Sequence, residues 1–176
     1  MWSDEPRALA LDLMSAPVSV AIGPRTALGS TREVLEAAFA DDLARHAAAW
    51  FPRECCALLV RGPAGHELIL AENLADRYHD HDPETFPRTA LRAYVLDPRL
   101  IAAAEREGKA LVAIVHSHCR VGAYFSDEDV RQALSPFEDG PLYAGVDYVV
   151  LDARDDGLHG FRVFTWSEAA RGFVER

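Results

Sequence analysis

Five consecutive apolar residues, 111–115, run without a break into His116-Ser117-His118. A strand that is apolar on both faces belongs inside a sheet covered on both sides, since a half-exposed strand would alternate apolar with polar residues. Residues two apart in extended chain share a face, so both imidazoles project together from the carboxyl end of this strand. After seven intervening residues, Ser126-Asp127-Glu128-Asp129 opens a helix, and Asp129 lies one turn in, able to face back toward the strand end. Taken singly, Ser-x-x-Asp reads as a helix cap and His-x-His as a structural pair. Together they put three polar groups against a buried strand end, which is costly unless something pairs with them. Two imidazoles and one carboxylate form a donor set that catalytic zinc sites favour, leaving the fourth position to a water whose pKa falls to about 7.

The elements around this strand follow from periodicity and punctuation. Ser30-Thr31-Arg32-Glu33 is a capping box, and Leu35, Phe39, Leu43, Ala47 and Trp50 then recur at helical spacing, so one helix is predicted from Ser30 to Pro52. Residues 56–60 and 67–71 read as a hairpin around Arg61-Gly62-Pro63-Ala64-Gly65, and residues 18–22 as a short strand. Residues 74–88 are polar and proline-bounded and read as a long loop, and residues 91–96 read as a strand. Asp97-Pro98 starts a helix that Gly108 ends. A helix over 126–134 is followed by a Pro/Gly-rich loop over 135–145, strands over 148–151 and 161–164, and a closing helix over 167–173. Intermixed helices and strands with several hairpins define an α/β class with a mixed β-sheet flanked by helices. The expected organisation is an N-terminal segment, residues 1–30, followed by one domain over residues 31–176.

Composition narrows the function classes. The chain has 176 residues with 49% apolar content, enough for one core without disulfide staples. A net charge of −10 disfavours wrapping phosphate backbones or anionic lipid, so neither nucleic acid nor membrane is expected as a partner. No apolar run approaches the roughly 18 residues that span a bilayer. Asp4, Glu5 and Asp12 sit where a signal peptide would be basic or apolar, so a cytoplasmic location is expected. The three cysteines, Cys55, Cys56 and Cys119, form no disulfide pattern.

The spacing His116-Ser117-His118, seven residues, Ser126, two residues, Asp129 resembles the signature of the JAMM (MPN+) metalloproteases. Upstream, Pro52-Arg53-Glu54-Cys55-Cys56-Ala57-Leu58-Leu59 is similar to the family's Pro-x-Glu-x-Cys-Gly-Leu-Leu. The resemblance covers roughly residues 32–166 and implies the MPN-type, cytidine-deaminase-like fold. It implies that His116, His118 and Asp129 bind one Zn2+ per chain. It implies that Glu54 holds the attacking water as general base and then serves the leaving amine as general acid. Ser126 is implied as a donor to the oxyanion, and Ser117 as a residue that orients the loop without being a ligand. Cys119 stands where the family has proline, and Ala57 where it has glycine. Both departures bear on the subfamily more than on the chemistry, and Cys119 reads as a packed or loop residue rather than a ligand or redox brake.

Rival readings rest on weaker patterns. His79-Asp80-His81-Asp82 has ligand types at close spacing, but no strand holds it, and a solvated loop that borders the substrate groove is the better reading. A zinc deaminase lacks its His-x-Glu and Pro-Cys-x-x-Cys pair here. A nucleophilic Cys55 or Cys56 conflicts with its apolar strand. No histidine or cysteine lies between Val130 and Leu158, so a single metal is expected. The resemblance to bacterial members implies hydrolysis of an amide bond after the C-terminal glycine of a ubiquitin-like or sulfur-carrier protein. A peptidase of cell-wall or phage-tail peptides is the alternative enzyme, and a metal-free scaffold module is the alternative of another class. Arg120 and Arg131 are the positive charges near the motif, and the acidic balance favours a basic or neutral partner surface.

Overall fold

The structure, a computed structural model, describes residues 19–22 and 29–176. Seven strands form one mixed sheet: β1 (Ser19–Ile22), β2 (Cys56–Gly62), β3 (Gly65–Ala71), β4 (Ala110–Cys119), β5 (Asp147–Arg154), β6 (Gly157–Ser167) and β7 (Gly172–Glu175). Their order across the sheet is β1-β3-β2-β4-β5-β6-β7, so β4 sits in the middle. Only β4 and β5 run parallel; every other pair is antiparallel. Among the described residues five helices accompany them: α1 (Thr31–Ala38), α2 (Ala40–Trp50), α3 (Ala75–His81), α4 (Pro98–Arg106) and α5 (Asp127–Ala133). The mixed α/β class is as expected. The N-terminal segment, residues 1–30, falls largely outside the described residues, although β1 within it pairs with β3 at the edge of the sheet.

Strand alternation sorts the core into two layers. Ala57, Leu59, Ala113, Val115, Val149 and Leu151 face α1 and α2, where Leu35, Phe39, Leu43 and Ala47 are buried against them. Leu58, Ile114, Tyr148 and Val150 face the other way, toward Ile101 and Ala104 of α4, Ala133 of α5 and Tyr94. On β4 the phase of this alternation is set by a bulge. Leu59 pairs with Ala113 but Val60 pairs with Leu111, so Val112 is the extra residue. Downstream of the bulge the even-numbered residues Ile114, His116 and His118 point toward the α4–α5 side.

Several sequence expectations need correction. The helix over 30–52 is kinked into α1 and α2 at Phe39, whose backbone leaves helical geometry (φ −132°, ψ 8°) while its ring is buried. Residues 74–88 contain α3 rather than only loop. Its polar composition hid it, because Ala75 alone of its residues is buried, and a Tyr78–Phe86 edge contact at 4.8 Å ties the following loop back to it. Residues 91–96 are not a strand. Their backbone partners are the Asn73 side chain, which accepts from Val95 N–H and donates to the Ala93 carbonyl, the Leu74 amide, which donates to the Val95 carbonyl, and the Thr89 carbonyl, which accepts from Arg92 N–H, so no ladder forms. The closing helix is a turn leading into β7, whose Phe173 packs with Trp166 on β6.

Candidate metal centre

The capping box at the start of α5 assembles the site. Ser126 Oγ accepts from the Asp129 amide at 3.2 Å, and Asp129 Oδ2 accepts from the Ser126 amide at 2.8 Å and from its hydroxyl at 2.7 Å. These bonds start the helix and lock the Asp129 carboxylate toward the end of β4. There, His116 Nε2 lies 3.2 Å from Asp129 Oδ1, His118 Nε2 lies 3.3 Å from Oδ2, and the two Nε2 atoms are 3.3 Å apart. All three residues are buried, His116 completely. Donors on a tetrahedral ion with bonds of about 2.0 Å stand about 3.3 Å apart. The spacing and the donor types therefore fit a zinc-like cation. Among the described residues no other group of histidine, cysteine and acidic side chains converges in this way.

Aromatic side chains brace the imidazoles. Tyr94 stacks on His116 with ring centroids 4.3 Å apart, and Tyr124 meets His118 edge-on at 4.9 Å. The Nδ1 atoms of both histidines are buried without a hydrogen-bond partner among the described residues, so ring orientation rests on this packing. Burial lowers the basicity of His116. Burial also acts on His118, but the hydrogen bond and charge of Asp129 outweigh it, so its pKa is raised. Burial would raise the Asp129 pKa, yet the two imidazoles hold it well below the usual carboxylate range.

Glu54 lies just before β2, which pairs with β4 so that Cys56 sits opposite His116. Two clamps hold this segment to its neighbours. On one side, Ser117 Oγ accepts from the Cys55 amide at 2.8 Å and the Ser117 amide donates to the Cys55 carbonyl at 3.0 Å. On the other, the Glu54 amide donates to the Ala90 carbonyl and Asn73 donates to the Glu54 carbonyl. Ser117 thus orients the segment that carries Glu54, a more specific part than positioning its own loop. Glu54 is buried, which pushes its pKa up to about 7, against the opposing pull of His118. It shares a cleft of about 340 Å³ with His118 and Ser126. All five expected site residues therefore meet at the carboxyl end of β4.

The remaining sequence candidates separate from the centre. His79 Nδ1 bonds the Phe86 carbonyl, and neither His79 nor His81 borders the cleft. Burial pushes the Cys55 thiol up to about 12 and holds Cys56 far from a thiolate, which removes both as nucleophiles. Cys119 borders the cleft with its thiol on the Arg53 carbonyl, and burial beside Glu54 pushes it up to about 11. Sequence reasoning did not find Asn73, Tyr94, Arg88 or Arg92. Asn73 lies 19 positions from Glu54, Tyr94 22 from His116, and Arg88 and Arg92 34 and 38 from Glu54, and only the Asn-Leu-Ala start of α3 marks where one of them sits.

A mixed sheet with a buried His-x-His at the end of its central strand, faced by a capped aspartate, defines a JAB-type domain. Residues 36–159 match the family of prokaryotic homologues of the JAB domain, and the chain belongs to that family. No curated protein sequence matches the chain. Among solved structures, a protein from Desulfitobacterium hafniense is similar, with 18% identity, a TM-score of 0.50, and 78% of this chain and 84% of that one covered. A protein from Salinibacter ruber is also similar, with 20% identity, a TM-score of 0.49, and 85% and 88% covered. The likeness to the Desulfitobacterium protein is one of fold. Among the described residues no helix is long and apolar enough to cross a membrane.

Proposed function

We propose that the chain is a JAMM-type zinc hydrolase that cleaves an amide or isopeptide bond after the C-terminal glycine of a ubiquitin-like or sulfur-carrier protein. The observation that supports this most is the convergence of the His116 and His118 Nε2 atoms, 3.3 Å apart, on the two oxygens of the Asp129 carboxylate at 3.2 and 3.3 Å, with Glu54 in the adjoining cleft. His116, His118 and Asp129 would hold the zinc. When bound, the ion would supply Lewis acidity and ease the loss of a proton from water near neutral pH. Glu54 accepts that proton and returns it to the leaving amine, and its buried position excludes bulk water from the exchange. Ser126 has two tasks. Its hydroxyl proton is committed to Asp129, so in this arrangement it orients a metal-binding residue, and to donate to an oxyanion it would have to release that bond.

Substrate choice rests on the cleft of about 340 Å³ that Glu54, His118 and Ser126 share, where an extended tail ending in glycine would be received. The test is incubation of zinc-loaded protein with a ubiquitin-like or sulfur-carrier protein fused through its glycine to a reporter amine, read by mass spectrometry. Chelator-sensitive release at the glycine is expected. An intact fusion alongside cleaved murein peptides would replace this reading with the cell-wall alternative.

A further inference from the structure

The mouth of the cleft has a composition that the acidic chain as a whole does not. Leu91, Val121 and Tyr124 are 54%, 61% and 48% exposed, and these three of the six large exposed apolar side chains among the described residues all line this one cleft. Arg88 and Arg92 line it with them. Arg88 has an ionic partner, Glu128, at 3.5 Å. The guanidinium of Arg92 pairs with no carboxylate and donates no hydrogen bond among the described residues, whereas Arg120 pairs with Asp155 and Arg131 with Glu128.

Arg92 is also held at a fixed place. Two residues before it, the Ala90 amide donates to Asp76 at 2.7 Å and the Ala90 carbonyl accepts from the Glu54 amide at 2.7 Å. Two residues after it, Tyr94 is buried and stacked on His116. The Arg92 amide closes the turn onto the Thr89 carbonyl at 3.0 Å. The backbone on either side of Arg92 is thus anchored to Glu54 and His116, and its exposed guanidinium lines the cleft with no ionic partner among the described residues. Guanidinium groups favour carboxylates through paired hydrogen bonds, and an apolar rim adds area that excludes water around such a contact.

We propose that the cleft reads a carboxylate carried by the substrate next to the scissile bond, together with an apolar side chain, and that Arg92 is the specificity-determining residue for it. The proposal rests on the reading that this cleft is the substrate site. It reverses, for the cleft, the preference for a basic or neutral partner that net charge suggests. Leu91, Val121 and Tyr124 receive the apolar side chain, and Arg88 supports the same charge more weakly because Glu128 already occupies it.

The probes are acetyl-Gly-Gly-Phe with a free terminal carboxylate and the same peptide as its carboxamide. Each is titrated into metal-depleted protein and followed by backbone amide NMR, so that coordination of the carboxylate to zinc plays no part. The carboxylate form is expected to bind about fivefold to tenfold more tightly, with shifts centred on residues 88–92 and 121–124. Arg92→Gln, at an exposed position with no partner to lose, should abolish the difference, and Arg92→Lys should restore part of it. Equal affinities in the unsubstituted protein, a preference that survives Arg92→Gln, or no measurable binding of either peptide overturns the proposal. Cleavage of the carrier fusion with equal affinities would leave the hydrolase reading standing alone. A carboxylate preference in a protein that cleaves nothing would leave the recognition site and remove the hydrolase.

Discussion

The two stretches of chain that build the centre differ in how far local rules determine their structure. From β4 to α5 every functional residue follows from local rules: a doubly apolar strand, a two-residue alternation, a capping box. Between Glu72 and Leu96 almost none does. That region holds a polar helix where a loop is expected and an irregular segment where a strand is expected. Yet it supplies Asn73, Tyr94, Arg88 and Arg92, which hold Glu54, brace His116 and line the mouth of the cleft. The candidate metal-binding residues sit on regular elements and leave periodic traces. Residues that position and select use single hydrogen bonds to irregular backbone, and those leave no period to read.

This contrast separates the expected phenotypes. On the legible side, Glu54→Gln should keep the metal and lower kcat by about 10²- to 10⁴-fold, since an amide can hydrogen-bond water but cannot take its proton. Metal analysis beside steady-state kinetics checks it, and loss of metal in that variant would make Glu54 a ligand. On the illegible side, Asn73→Ala removes a side chain that donates to the Glu54 and Ala93 carbonyls and accepts from the Ala75 and Val95 amides. It should cost about 2–4 kcal/mol in urea unfolding while metal affinity changes little. A variant as stable as the unsubstituted protein would mean that residues 91–96 are held by something other than Asn73.

How far the fold was legible depends on the source of each element's hydrogen bonds. The hairpin of β2 and β3, the α4 start at Asp97-Pro98, and the β5–β6 turn at Asp155-Asp156-Gly157 all declare themselves, because their partners are close in sequence and their turn residues are specific. Residues 167–173 mislead, since polar and small residues there suit a helix end as well as a hairpin turn, and only pairing with β6 decides the outcome. The bulge at Val112 is likewise invisible in an unbroken apolar run, although it sets the face on which His116 and His118 emerge.

Smaller effects test the edges of the same contrast. Cys119→Ser should change activity by less than about threefold, because two imidazoles, a carboxylate and water already complete a tetrahedral set. A thiolate–metal charge-transfer band after cobalt substitution would show Cys119 to be a ligand. The smallest expected effect concerns His46 on α2, which donates to the Cys56 carbonyl at 3.0 Å. Burial lowers its pKa below 6.5, so the unfolded chain binds the proton more readily. Its contribution is therefore full above pH 6.5 and declines as the pH falls toward the lower folded value. Comparing melting temperatures at pH 7.5 and 5.5 should show a shallower decline in His46→Gln, and an identical slope would remove His46 from the acid response.

The central claim is that the end of β4 and the start of α5 form one metal site. Its most direct test is the zinc content, by inductively coupled plasma mass spectrometry, of the purified protein after zinc loading and exhaustive dialysis, beside His118→Ala and Asp129→Ala. About one zinc per chain is expected in the unsubstituted protein, and well below that in both variants, because each removes one of three protein ligands. A zinc-free protein, or variants that retain a full equivalent, would contradict the account.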